Sequence, residues 1–280
     1  MRFWQLSQKD KEFDYLVLGS SRAYGSLDIS LLDSIIDKKG INLGLNGSGF
    51  TENFITLKLF LKNGNKVDSV FLQVDPYSLM SDSSFSNSFH SYAYLPYWDV
   101  DKEIENVLHE NIPLLKDWPF YPALLSYFIY NNYYSPYNIY KGLKNKGEFC
   151  SKGFDCYNGN KIFDTLPKDQ NIIGDEIFIV PDSKDIFYYN KILDLAKENN
   201  IEVISYMAPT LDTFSNFETV NILKNISYIS SNSKIWDPNL FSDATHVNRF
   251  GRDLFTIEFG QFLLAEFNFK EKISLLQKKK

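Results

Sequence analysis

The chain has 280 residues, a net charge of -6, 44% hydrophobic residues and 16% aromatic residues. That is ample material for a core, which excludes global disorder. The acidic balance excludes nucleic acid as the main partner, because phosphate binding needs a concentrated basic surface.

Residues 14–20, DYLVLGS, form a short apolar, β-rich run ending in a turn, the profile of a buried parallel strand. A helix is predicted over 28–39, with Leu31, Leu32, Ile35 and Ile36 on one face and Gly40 as its stop. Residues 41–45 read as a second strand, followed by the turn Asn46-Gly47-Ser48-Gly49. Thr51 is the expected N-cap of a helix carrying Phe54, Leu57, Phe60 and Leu61 and ending near Gly64. Residues 68–75, DSVFLQVD, form a third strand broken by Pro76. Between about 81 and 181 the alternation lapses, and residues 120–140 are dense in Tyr, Phe, Asn and Pro. A loop this long is not left structureless in a compact domain, so the stretch reads as an inserted, mostly helical, aromatic-rich cap. Alternation resumes with a helix over 183–198 capped by Ser183, a strand over 201–207, a helix over 214–223 and a short strand over 226–230. A last apolar helix runs to about Phe267. The β-α-β-α-β order implies a parallel sheet with right-handed crossovers. The fold class is therefore α/β. The expectation is a three-layer α/β/α sandwich with a flavodoxin-like parallel sheet of about five strands, one domain over 1–280 with the cap inserted at 81–181.

No apolar run approaches the roughly 18 residues that span a membrane, and residues 1–11 lack the apolar segment of a signal peptide. The chain as it stands reads as cytoplasmic, or as a peripheral domain of the cell envelope if an N-terminal anchor is missing. Cys150 and Cys156 lie in a polar loop and read as free thiols, with a small local disulfide as the alternative in an exported protein. Two cysteines with no companion histidine do not make a zinc site, and nothing else in the sequence calls for a metal or a cofactor.

Ligands of an open parallel sheet bind beyond the carboxyl ends of its strands. Three segments reach that edge with small or polar residues: Gly19-Ser20-Ser21-Arg22, residues 46–49, and Asp75. A serine in a tight strand-to-helix turn presents its hydroxyl outward and its own N–H toward the same point. It becomes a nucleophile when a base takes its proton, and histidine is the usual base. Of the three histidines, His90 and His109 fall in the cap with no partner signature. His246 follows Asp243 by three residues, a spacing at which the carboxylate reaches the imidazole and fixes its tautomer.

These segments resemble the SGNH/GDSL hydrolases. DYLVLGSSRA is similar to the family's first block, with Ser20 where many members have Asp. NLGLNGSG is similar to the second block, Gly47 being the closest match to its oxyanion-hole glycine. DATHVNRFG is similar to the last block, Asp-x-x-His-x-Asn-x-x-Gly. The resemblance covers roughly residues 14–80 and 183–265. It implies Ser21 as nucleophile, Asp243 and His246 completing a triad, and the N–H groups of Ser21 and Gly47 as oxyanion hole. The GSSR form, together with V-D-P-Y, resembles a branch that includes cell-envelope polysaccharide O-acyltransferases and acetylesterases. The implied activity is ester hydrolysis or O-acyl transfer on a small-molecule or carbohydrate ester, O-acetyl on a polysaccharide above all. In a transferase the acyl donor could come from a membrane-bound partner.

One position departs from the family. Its third block places an asparagine after the third strand as an oxyanion donor, and here Asp75 stands there. An ionised carboxylate would repel an oxyanion. Asp75 pairs with Arg22 to support the site, along with Asn46, or is protonated, or a different donor serves the oxyanion; the alternative is a catalytically degenerate domain that binds glycans. A nucleotide-binding doubly wound domain shares the topology, but the first turn lacks G-x-G-x-x-G and there is no P-loop.

Overall fold

The structure is a computed structural model and describes residues 9–79, 91–112, 115, 173–215, 220–230 and 236–278. Strand β1 (Glu12–Leu18) is buried from Tyr15 onward, and its side chains alternate between two cores. Leu16 and Leu18 enter one, Tyr15 and Val17 the other. Strand β3 (Lys66–Gln73) does the same, with Val70 and Leu72 on the first side and Phe71 on the second. A strand apolar on both faces is stable only with helices covering both, which is why these runs read as continuous rather than alternating.

Five parallel strands form the sheet. With β2 (Gly40–Asn42), β5 (Glu202–Met207) and β7 (Tyr228–Ile229), the spatial order is β2-β1-β3-β5-β7. Helices α3 (Phe50–Lys62) and α6 (Ser183–Glu198) cover one face, supplying Phe50, Phe54, Leu57, Tyr188 and Ile192. Helices α2 (Ile29–Ile36) and α8 (Arg249–Lys278) cover the other, with Leu32, Phe255 and Phe259 packed on Tyr15, Phe71 and Tyr206. The three-layer α/β/α sandwich expected from the sequence is present. Chain order reverses at β1, whose neighbours are β2 and β3, so the crevice of a doubly wound sheet opens at its carboxyl end.

Several element ends differ from expectation. Helix α2 is capped by Asp28, which accepts from the Leu31 N–H at 3.1 Å. It stops at Asp37 in the left-handed region (φ 51°), and Gly40 instead opens β2. The first turn of α3 is held by Glu52, which accepts from the Gly49 N–H at 2.9 Å, so Thr51 lies inside the helix. Asp182, one residue before Ser183, caps α6 through the Lys184 N–H. The predicted helix over 214–223 is wrong at its start. Thr213–Ser215 is a strand, β6, paired in parallel with β4 (Glu176–Phe178) in a separate two-stranded sheet, and among the described residues of this stretch the helix is Asn221–Lys224 (α7). Helix α8 continues well beyond Phe267.

Within the range read as a cap, a 3-10 turn (Ser91–Tyr97) and helix α5 (Lys102–Asn111) share the first core, through Tyr94, Leu95, Ile104 and Leu108. Glu103 of α5 pairs with Lys58 of α3 and Lys191 of α6, tying three helices together. Cys150, Cys156, His90 and the aromatic run over 120–140 lie outside the described residues. Among those described, no helix is long and apolar enough to cross a membrane.

Candidate active site

The carboxyl end of β1 turns sharply at Gly19 (φ +148°) and starts a short helix, α1 (Ser21–Ser26), one residue after Ser20. Ser20 is the N-cap, its Oγ accepting from the Arg22 N–H at 3.3 Å. Its own hydroxyl proton goes to the Gln73 carbonyl oxygen at 2.9 Å. Ser21, the first helical residue, is left to face the cleft.

His246 meets Ser21 from the opposite wall: its Nε2 lies 2.8 Å from Ser21 Oγ. Both Asp243 oxygens lie 2.9 Å from His246 Nδ1. An ionised carboxylate can only accept, so the ring proton sits on Nδ1 and the Nε2 lone pair faces the serine hydroxyl. The DATH turn builds this contact locally. Asp243 Oδ1 accepts from the N–H groups of Thr245 and His246, each at 2.8 Å, and from the Thr245 hydroxyl at 3.0 Å. Burial alone would raise the Asp243 carboxyl. The His246 hydrogen bond and charge, with the Thr245 donors, outweigh that and hold it well below the usual carboxylate range. The Asp243 side chain is 51% exposed, so water screens the pair and hydrogen bonding carries most of the orientation.

The rest of that motif fixes the turn to the fold. Asn248 is buried and caps α8, accepting from the N–H groups of Phe250 and Gly251 at 3.0 and 3.2 Å, while its amide donates to the Asn239 carbonyl at 2.7 Å. A Cβ at Gly251 would meet the Leu240 carbonyl oxygen at 2.2 Å, so only glycine lets α8 pack this close to the loop carrying His246.

The second strand's loop lies beside Gly19, because the Leu45 N–H bonds the Gly19 carbonyl at 3.0 Å. Ser48 Oγ contacts the same carbonyl at 2.8 Å. Gly47, with φ +69°, stands at the cleft. Neither its N–H nor that of Ser21 has a hydrogen-bond partner among the described residues, and both belong to the lining of one cleft of about 190 Å³. Tyr77 and Ser78, on the short helix α4 (Pro76–Leu79), form another wall. Burial and a hydrogen bond to Asp212 push the Tyr77 phenol far up, so it remains a donor to that carboxylate.

Arg22 and Asp75 do pair. Arg22 Nη1 lies 2.7 Å from Asp75 Oδ2, with side chains only 4% and 1% exposed. Arg22 Nη2 also donates to the carbonyls of Ala208 and Pro209, the latter at 3.0 Å. Asp75 Oδ1 accepts from the Ser78 N–H at 3.0 Å, so the carboxylate also holds the turn after Pro76. Asp75 is absent from the cleft lining, and Gly47, Tyr77 and Ser78 are there instead.

The structure thus brings together Ser21, His246 and Asp243, with Gly47 and Arg22 on the same cleft and Asp75, paired with Arg22, outside its lining. Asn46 is not brought in: it is exposed at the tip of its turn and does not line the cleft. His109 sits on α5 against Trp98, ring centroids 6.3 Å apart. Sequence reasoning missed Thr245, Tyr77 and Gln73. The signal for Gln73 was one polar residue in the otherwise apolar end of β3, VFLQV. The chain matches no protein-family model, no curated protein and no solved structure.

Proposed function

We propose that this chain is a serine-dependent ester hydrolase or O-acyltransferase of the SGNH/GDSL type, working through an acyl-Ser21 intermediate. The observation that carries the reading is the unbroken line Asp243–His246–Ser21, with contacts of 2.9 and 2.8 Å, opening onto a cleft lined by Ser21 and Gly47, whose backbone N–H groups have no partner among the described residues. His246 Nε2 takes the Ser21 proton as Oγ attacks the ester carbonyl. The N–H groups of Ser21 and Gly47 receive the developing oxyanion, a type of contact whose loss costs about 10²–10³-fold in rate. The tetrahedral adduct collapses, the alcohol leaves with the proton held by His246, and the acyl group stays on Ser21. Water or a sugar hydroxyl, deprotonated by His246, then attacks the acyl-enzyme and frees Ser21.

The small cleft fits a short acyl group such as acetyl, and the resemblance of GSSR and V-D-P-Y favours O-acetyl on a carbohydrate or cell-surface polysaccharide as the substrate. Binding of glycans without turnover is disfavoured, because the carboxylate that motivated it is paired with Arg22 and does not line the cleft. A panel of acetyl, propionyl and butyryl esters, assayed with and without sugar acceptors, tests the reading. Turnover that vanishes in Ser21→Ala while circular dichroism is unchanged supports it. Turnover of equal size in Ser21→Ala rejects it.

A further inference from the structure

Gln73, at the end of β3, is buried and bridges the nucleophile turn to the Arg22–Asp75 pair. Its Oε1 accepts from both the N–H and the hydroxyl of Ser20, each at 2.9 Å, and its Nε2 donates to Asp75 Oδ2. The direction of these bonds is forced. Every contact on Asp75 is a donor: Arg22 Nη1 and Gln73 Nε2 on one oxygen, the Ser78 N–H and hydroxyl on the other. A carboxylate satisfies four such donors, and an asparagine would set its own amide against two of them. Because Asp75 only accepts, the carboxamide of Gln73 must turn its nitrogen there and its oxygen toward Ser20. Ser20 therefore spends its proton on Gln73 and keeps lone pairs to cap α1, whose first residue is Ser21. Gly19 makes the approach feasible, since a Cβ there would lie 2.6 Å from Gln73 Cβ and 2.7 Å from Oε1.

We infer that Gln73 is a positioning residue for the nucleophile: it transmits the fixed acceptor character of Asp75 to the Ser20 cap and so aims Ser21 Oγ at His246 and the Ser21 N–H at the oxyanion. This rests on the acyl-Ser21 reading above. It accounts for an Asp, not an Asn, after β3: the carboxylate orders the oxyanion turn from behind and does not itself donate to the oxyanion.

The test is the rate at which a fluorophosphonate probe, which reacts only with an activated serine, labels Ser21 across a pH series in the intact chain. Gln73→Met matches the volume without the hydrogen bonds and slows labelling by roughly 10–100-fold, the scale of a misplacement near 1 Å. Gln73→Glu behaves differently. Its carboxyl faces the Asp75 carboxylate, with Arg22 beyond, and two carboxyls in contact share one proton. Protonated, the new side chain donates to Asp75 and accepts from Ser20 as glutamine does, so labelling stays near the wild-type rate at mildly acidic pH. It falls as pH rises and the shared proton leaves, an alkaline limb absent from wild type. If Gln73→Met fails to fold, the Gln73→Glu profile decides alone. Labelling of Gln73→Met within about threefold of wild type, or a Gln73→Glu profile parallel to wild type at every pH, overturns the positioning role and leaves the acyl-Ser21 reading standing. An unlabelled wild type overturns that reading and the role with it.

Discussion

Replacing Arg22 by alanine removes the only cation bonded to Asp75 among the described residues, and two hydrogen bonds to the carbonyls of Ala208 and Pro209. Both partners of the pair are nearly inaccessible, so water cannot take over the lost contact. Truncating one member of a buried pair costs about 3–5 kcal/mol, mostly because the remaining charge is left uncompensated. Gln73 and Ser78 still donate to Asp75, which places the expected loss near the lower end of that range. At roughly 2–4 °C per kcal/mol for a chain of this size, the midpoint of thermal unfolding drops by about 6–12 °C. Adding Asp75→Asn to Arg22→Ala removes the stranded charge and returns about 1–2 kcal/mol, although either change alone is destabilising. The assay is urea unfolding followed by circular dichroism on all four members of the double-mutant cycle. If Arg22→Ala costs less than about 1 kcal/mol, or the loss in the double variant equals the sum of the two single losses, the two residues are not energetically coupled and the reasoning fails.

Removing the base has a different signature. His246→Ala lowers kcat by several orders of magnitude on any ester the protein accepts. Asp243→Asn costs roughly 10²–10⁴-fold by disturbing the tautomer, with KM little changed in both. An essential His109 with a dispensable His246 would contradict the assignment. The Asp243 carboxyl, held below its ordinary range in the fold, stabilises the native state wherever it is ionised in both states. That contribution is fully present above the usual carboxylate range and is lost as pH falls through the lower folded value. The stability gap between wild type and Asp243→Asn therefore shrinks as pH falls below about 4. A gap that keeps its full size as pH falls below the usual carboxylate range refutes the pairing.

Much of this was legible in the sequence because it rests on local patterns. Short runs such as DYLVLGS and DSVFLQVD are apolar on both faces, which suits only a covered parallel sheet. The Asp243–His246 contact lies within one turn, so spacing alone revealed it. The misreadings involve non-local partners. Phe214 and Ser215 fall in the stretch expected to be helical, 214–223, and are strand instead. The strand forms because Glu176–Phe178 pairs with it and Asp212 accepts from the Asp175 N–H at 2.7 Å. Gly40 looked like a helix stop, yet Asp37 adopts the left-handed turn first. Gln73 stands out in the sequence only as a polar residue in an apolar strand end, since its contacts are to Ser20, 53 positions away, and to Asp75.

The most direct test of the central claim is covalent labelling. Fluorophosphonate treatment followed by peptide mass spectrometry is expected to place one adduct on Ser21, with Ser20→Ala still labelled and both Ser21→Ala and His246→Ala unlabelled. An adduct on Ser20, or a wild-type chain that stays unmodified under conditions that label a known serine hydrolase, contradicts the account.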